Sequence, residues 1–278
     1  MAYSDYQLIR FARAGRVLTA TVDAPPINIV TLDLFAELAR LAEELAADRE
    51  TGVFILKSAD PDFFLAHFDV AAILSFPVDE PARRDAGPNA WHAMCRRFAT
   101  MDIVTIAQIE GRVGGGGAEL SMNFDMRFGV SGKTIINQME VPLGILPGGT
   151  GTQLLPRLVG RARALEIILS GHDLDAETAV HWGWLNRALP ADGIESFVSG
   201  LANRIAGFPA DAVRLAKQAI NGADLPLAEG LAAESFLFQT SIRTPEARAA
   251  MARFLEIGGQ TREGELRVAD LSAQLGSD

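Results

Sequence analysis

The 278-residue chain has a single cysteine, Cys95. One thiol cannot form an internal disulfide, and no cysteine-based metal site is expected. A small buried hydrophobe on a helix is the expected use of that residue. Basic residues are also short: 25 Lys and Arg face 35 Asp and Glu, leaving a formal charge of −10. A chain this acidic repels phosphates over most of its surface, so nucleic-acid binding is not expected. An anionic ligand would need basic residues gathered locally. No run approaches the ~20 uninterrupted apolar residues of a membrane span. The first residues, Met1 to Tyr6, show no basic region followed by an apolar run. No signal peptide is read, and a soluble cytoplasmic protein is expected. Internal repeats and low-complexity tracts are lacking too. What remains is ordinary for a well-packed globular protein: 49% apolar and 22% charged residues. The length allows one large domain, or a core with a smaller appendage.

Glycine, by contrast, is concentrated. Gly114-Gly115-Gly116-Gly117 runs into Ala118-Glu119-Leu120, and a second glutamate follows in Met139-Glu140-Val141-Pro142-Leu143-Gly144. Pro147-Gly148-Gly149-Thr150-Gly151 comes next. A glycine run lets backbone N–H groups approach a ligand with no side chain in the way. If it opens a helix, the unpaired N–H donors and partial positive charge of that terminus face the same ligand. Donors beside two carboxylates can stabilise an enolate while protons move. Two phosphate-binding motifs are excluded. A Walker A loop would need Gly-Lys-Ser/Thr at its end, and the dinucleotide fingerprint would need glycine where Glu119 stands. A carboxylate there would repel a pyrophosphate.

The first half alternates strands and helices. Tyr6–Phe11 and Val17–Val22 read as strands joined by a turn at Ala14-Gly15, and Pro25-Pro26 breaks the chain. Thr31 can cap a helix reaching Ala47, with Leu34, Leu38, Leu41 and Leu45 on one face. Val53–Lys57, Ile103–Ile109 and Met126–Val130 read as buried strands, and Thr134–Ile136 as a short partner. Asp69–Leu74 and Asn89–Met101 read as helices, with a proline-rich mobile loop, Ser75–Pro88, between them. After Gly151 helix periodicity dominates, from Gln153–Leu158 through Pro245–Glu256, with a short strand in Trp184–Ala188. The polar stretch from Gly258 is expected to be partly ordered at best. The division expected is an α/β core over 1–202 and a helical region with a polar tail over 203–278.

Four pieces, in order, resemble the crotonase superfamily of enoyl-CoA hydratases and isomerases. Phe63-Phe64-Leu65-Ala66-His67-Phe68-Asp69-Val70 is similar to its Phe-Ser-Ala-Gly-Ala-Asp-Leu segment. Gly115-Gly116-Gly117-Ala118-Glu119-Leu120 is the second, and Glu140-Val141-Pro142-Leu143-Gly144 with Pro147 to Thr152 the third. Leu174 to Ala179 and Gly183 to Asn186 form the last. The likeness spans about Leu18 to Glu256. It implies an α/β fold with a ββα superhelix core and C-terminal helices that drive trimerisation, often into a dimer of trimers. It also implies an oxyanion hole from the N–H groups of Phe68 and Gly116, which stabilise the enolate of an acyl thioester. Glu119 and Glu140 match the two acid–base carboxylates. Ala66, His67, Asp69, Val70, Gly115, Pro142, Leu143 and Gly148 fall in the matching substrate-binding segments. No metal or redox cofactor is implied; coenzyme A enters as part of the substrate.

Each position also has a plainer use. Glu119 could simply place favourable charge in the first turn of its helix. Glu140 sits among apolar residues, where an idle carboxylate is costly. Gly148, Gly149 and Gly151 are expected only to shape a turn. His67 could touch substrate or serve the structure; His92, His172 and His181 are read as structural. Three departures bear on the ligand. His67-Phe68 replaces a smaller Gly-Ala pair; Pro25-Pro26-Ile27 replaces a basic residue before Asn28; and Ile257-Gly258-Gly259 follows Phe254 where cations are usual. Each missing cation would have made a charge-assisted bond to phosphate. The expected activity is hydration of a 2-enoyl thioester. The alternatives are an isomerase, a carbon–carbon or thioester hydrolase of an atypical acyl substrate, or a non-catalytic oligomeric partner.

Overall fold

A computed structural model describes residues 3–81 and 87–276. The chain opens with β1 (Ile9–Ala14) and β2 (Val17–Val22), an antiparallel hairpin whose register pairs Ala14 with Val17. Helix α1 (Leu32–Ala47) starts where the Thr31 side chain accepts a hydrogen bond from the Leu34 N–H. Its Leu34, Leu38, Leu41, Ala42 and Leu45 are buried, a stripe at helical spacing that can only be satisfied against a core.

From here one pattern recurs: two strands, then helix. β3 (Val53–Ser58) and β4 (Phe63–Leu65) precede α2 (Val70–Leu74) and α3 (Ala90–Thr100). β5 (Val104–Ile109) and β6 (Arg112–Gly114) precede α4 (Gly115–Ser121). β7 (Met126–Val130) and β8 (Ile135–Asn137) precede a 3-10 turn at Val141–Leu143, then α5 (Gly151–Val159) and α6 (Arg161–Ser170). The first strand of each unit joins a six-stranded sheet, and the second joins a four-stranded one. This is the ββα superhelix expected from the resemblance. It is invisible as a sequence repeat, because the units share backbone path and not side chains. β9 (Leu174–Asp175) closes the small sheet antiparallel to β8. After α7 (Ala176–Trp182), β10 (Arg187–Leu189) adds an edge strand parallel to β7.

Helix α8 (Ile194–Ala206) covers the outer face of the large sheet. Its buried Ile194, Val198 and Ala202 pack with Val53, Ile55, Val104 and Ile106. Every residue of β5 is buried, as befits a strand covered on both faces. Position 202, the expected boundary, lies inside α8. Four further helices follow: α9 (Ala210–Asn221), α10 (Leu227–Ser241), α11 (Pro245–Glu256) and the short α12 (Arg262–Glu265), and then a fifth, α13 (Val268–Gln274).

The segment after Gly258 departs from expectation, because it is helical through Gln274. Leu271 is 1% exposed, so α13 buries an apolar side chain. The Arg204 guanidinium also donates to the Ala269 carbonyl. Most of the Ser75–Pro88 loop is non-helical, as read; positions 82–86 lie outside the described residues.

Candidate active site

Strands β4, β6 and β8 are neighbours in parallel, so their C-terminal ends finish side by side. Each end delivers one part of the site. β4 leads into Ala66-His67-Phe68, β6 into the glycine run, and β8 into Gln138-Met139-Glu140.

Beyond β4, Val30 makes a parallel bridge with Phe68. The Val30 N–H donates to the His67 carbonyl (2.9 Å), and the Asp69 N–H donates to the Val30 carbonyl (3.0 Å). That alternation turns the Phe68 N–H away from the bridge. Beyond β6, α4 begins at Gly115, so the Gly116 N–H falls in a first turn with no intrahelical acceptor. Among the described residues, neither N–H has a protein partner. A Cβ on Gly116 would sit 3.1 Å from the Phe68 Cβ and 3.5 Å from its backbone nitrogen, so the two peptides lie against each other. Two other glycines are needed for space. A Cβ on Gly117 would fall 2.5 Å from the Leu65 carbonyl oxygen. Gly115 has φ +45°, and a Cβ there would crowd both the His67 Cβ and Glu140 Oε1.

Glu119 projects from α4 and is 4% exposed. Its Oε1 accepts from the N–H groups of Gly149 (2.7 Å) and Gly151 (2.8 Å). Those glycines therefore do more than shape a turn: their backbone orients the carboxylate. Asn123 ties the same loop to α4, donating to the Glu119 carbonyl (2.9 Å) and to Thr150 Oγ1 (3.0 Å). Burial pushes the Glu119 carboxyl up to about 7; the Gly151 N–H opposes this, and the Glu140 charge adds to it. Glu140, 8% exposed, lies at the start of the 3-10 turn. Burial raises its carboxyl too, while its own backbone N–H and the nearby His67 pull the other way. With its amide nitrogen toward Glu140, Gln138 donates to Oε1 (3.2 Å) and Oε2 (3.0 Å).

Both carboxylates line one mostly apolar cavity of about 610 Å3. His67, Phe68, Val70, Gly115, Gly116, Leu143 and Gly148 line it as well. Other anticipated positions point elsewhere. Ala66 is buried behind the wall. The Asp69 side chain caps α2 through the Ala71 N–H (2.8 Å). Pro142 packs toward Gly171. Asn28 is turned inward, accepting from Ala24 N–H (2.8 Å) and donating to Ser58 Oγ (2.7 Å). His92 completes a capping box with Asn89 at the start of α3. Sequence reasoning missed Phe35, Phe76, Trp91 and Gln138. The first three come from separate elements whose convergence no local pattern announces, and glutamine carries no motif.

The profile of the family described as enoyl-CoA hydratase/isomerase matches residues 13–262. The chain belongs to this enoyl-CoA hydratase/isomerase family. Relatives within it include a probable enoyl-CoA hydratase of Mycobacterium bovis, 32% identical over 253 residues, covering 90% of this chain and 96% of that one. The short-chain-enoyl-CoA hydratase of Clostridium acetobutylicum is 30% identical over 246 residues, covering 88% and 93%. Among solved structures, an enoyl-CoA hydratase from Bacillus anthracis superposes with a TM-score of 0.82 at 28% identity, covering 90% and 96%. An enoyl-CoA-hydratase-like chain from Streptomyces avermitilis gives 0.73 at 39% identity, covering 99% and 98%.

Proposed function

We propose that this protein hydrates the 2,3 double bond of an enoyl-CoA thioester. One observation carries the reading: two buried carboxylates face one apolar cavity beside two backbone N–H groups with no partner among the described residues. The thioester oxygen would accept from the Phe68 and Gly116 N–H groups. A water held between Glu119 and Glu140 would attack C3 as one carboxylate takes its proton. The C2=C3 electrons would pass to the thioester as an enolate, and C2 would then receive a proton from the other carboxyl. Burial raises both carboxyls, while the Gly149 and Gly151 N–H groups favour ionised Glu119 and the Gln138 amide favours ionised Glu140. Glu140 and Glu119 would share the acid and base roles. Removing one oxyanion donor of this kind typically costs about 100- to 1,000-fold in rate.

Hydration is redox-neutral, so coenzyme A enters only as part of the substrate, and we infer action in the cytoplasm. We also infer a homotrimer or a dimer of trimers. Phe236 and Phe238 on α10, with Met251 and Leu255 on α11, present exposed apolar surface that would be covered by a second copy.

Loss of the conjugated enoyl absorbance of a short 2-enoyl-CoA tests the reading. Glu119→Gln and Glu140→Gln should each slow turnover about 100-fold or more. A folded wild type with no turnover would overturn hydration. It would favour the second reading, an isomerase or hydrolase of a non-CoA carbonyl compound. One observation supports that alternative: among the described residues lining the cavity, none is Lys or Arg.

A further inference from the structure

Trp91 is a side chain of the cavity wall to which the proposed chemistry gives no role. Trp91, near the start of α3, is 8% exposed, and its indole Nε1–H donates to the Gly149 carbonyl (3.0 Å). A Cβ on Gly149 would fall 2.5 Å from that nitrogen and 2.5 Å from Glu119 Oε2, so the indole and the free carboxylate oxygen share one face of this glycine. The same edge of the ring, one atom further round, reaches the oxyanion donors. Trp91 Cζ2 lies 3.4 Å from where a Gly116 Cβ would be, and the Phe68 ring meets the indole edge-on with centroids 5.4 Å apart. Phe35 supports the indole, with ring centroids 5.5 Å apart. One edge of the indole therefore lies between the oxyanion donors and the Glu119 carboxyl.

A thioester oxygen held by Phe68 and Gly116, with C2 and C3 between the carboxylates, leaves the rest of the acyl chain to pass this ring. We propose that Trp91 is the specificity-determining wall of the acyl subsite, its indole setting the depth beyond the reacting carbons and favouring short, unbranched acyl groups. The proposal rests on the hydratase reading for the direction in which the acyl chain runs. A hydrophobic wall discriminates by roughly 10- to 200-fold per methylene gained or lost. Contact with Gly149 gives the ring a second effect, because that residue's N–H orients Glu119.

The test compares crotonyl-CoA with 2-octenoyl-CoA in the wild type, Trp91→Ala and Trp91→Phe. Trp91→Ala should raise the octenoyl-to-crotonyl ratio of kcat/KM by about tenfold or more. Trp91→Phe, which keeps most of the ring volume but loses the N–H, should hold that ratio while shifting the pH profile of kcat. An unchanged ratio in folded Trp91→Ala overturns the proposal. Should that variant fail to fold, Trp91→Leu carries the same comparison. Saturated butyryl-CoA and octanoyl-CoA supply a readout without turnover. Their binding should change the tryptophan fluorescence of the wild type, and the response should be lost in Trp91→Phe; a response retained there, from Trp182 and Trp184, overturns the assignment. Trp91-dependent binding without hydration would sink the hydratase reading and leave the wall in place. No binding of any acyl-CoA by the folded wild type would overturn both.

Discussion

Glu119 carries opposite consequences for stability and for the proposed chemistry. Its carboxyl stands at about 7 in the fold, against 4.5 for an unperturbed glutamate. The folded chain therefore holds a proton that the unfolded chain has released between those values. Stability contributed by that proton is complete below about pH 4.5 and lost as pH rises through 7, amounting to about 3 kcal/mol. Glu119→Gln keeps an oxygen for the Gly149 and Gly151 N–H groups and removes the titration. Denaturant unfolding at pH 5 and pH 8 should show the wild type losing stability relative to this variant at the higher pH. An equal difference at both pH values would remove the case for a destabilised carboxyl. Both glutamates stood out in the sequence because glycine runs and a proline–glycine turn mark where backbone must come close. Trp91 did not, since its hydrogen-bond partner lies 58 residues away. Nor did the role of Gly149 and Gly151, because a turn and a carboxylate cradle read alike until the carboxylate is placed.

At the scale of elements, α4 is held so close to β4 that side chains are excluded between them. A Cβ on Gly117 would strike the Leu65 carbonyl oxygen and Cβ at 2.5 and 2.6 Å. Gly117→Ala should therefore force the helix off the strand, at about 1–3 kcal/mol for overpacking. The same shift would move the Gly116 N–H, so thermal unfolding and turnover should suffer together. Wild-type stability in this variant would show that the contact can relax. The longer elements were legible. Met126–Val130 and Pro245–Glu256 form as their apolar spacing predicts. Of the small sheet only β8 was legible, read as Thr134–Ile136 beside Met126–Val130, whereas it pairs with β6 and β9; β4 and β6 have three residues each and β9 has two. Strands that short carry too little alternation to read, yet their aligned ends build the site.

Across the whole molecule, apolar surface is unevenly spread. The core clusters bury the sheets and α1, whereas α10 has no buried residue and exposes Leu227, Leu231, Phe236 and Phe238. Helix α11 likewise has no buried residue. An exposed apolar patch of this kind marks a surface awaiting a partner, and for the trimer proposed here that partner is a second copy. Light scattering should return the mass of three or six chains. Phe236→Asp combined with Phe238→Asp should return a smaller species. A monomeric wild type would contradict the assembly. The sequence showed helices in this region but could not show which faces stay open, because that depends on where α9 and α13 pack.

The central claim is that two carboxylates add water across an enoyl thioester. Running the wild-type reaction on crotonyl-CoA in D2O and reading the product by NMR tests it most directly. Hydration predicts a 3-hydroxyacyl thioester with one deuterium at C2. Recovery of unchanged crotonyl-CoA, or of a 3-enoyl isomer without a hydroxyl, would contradict it.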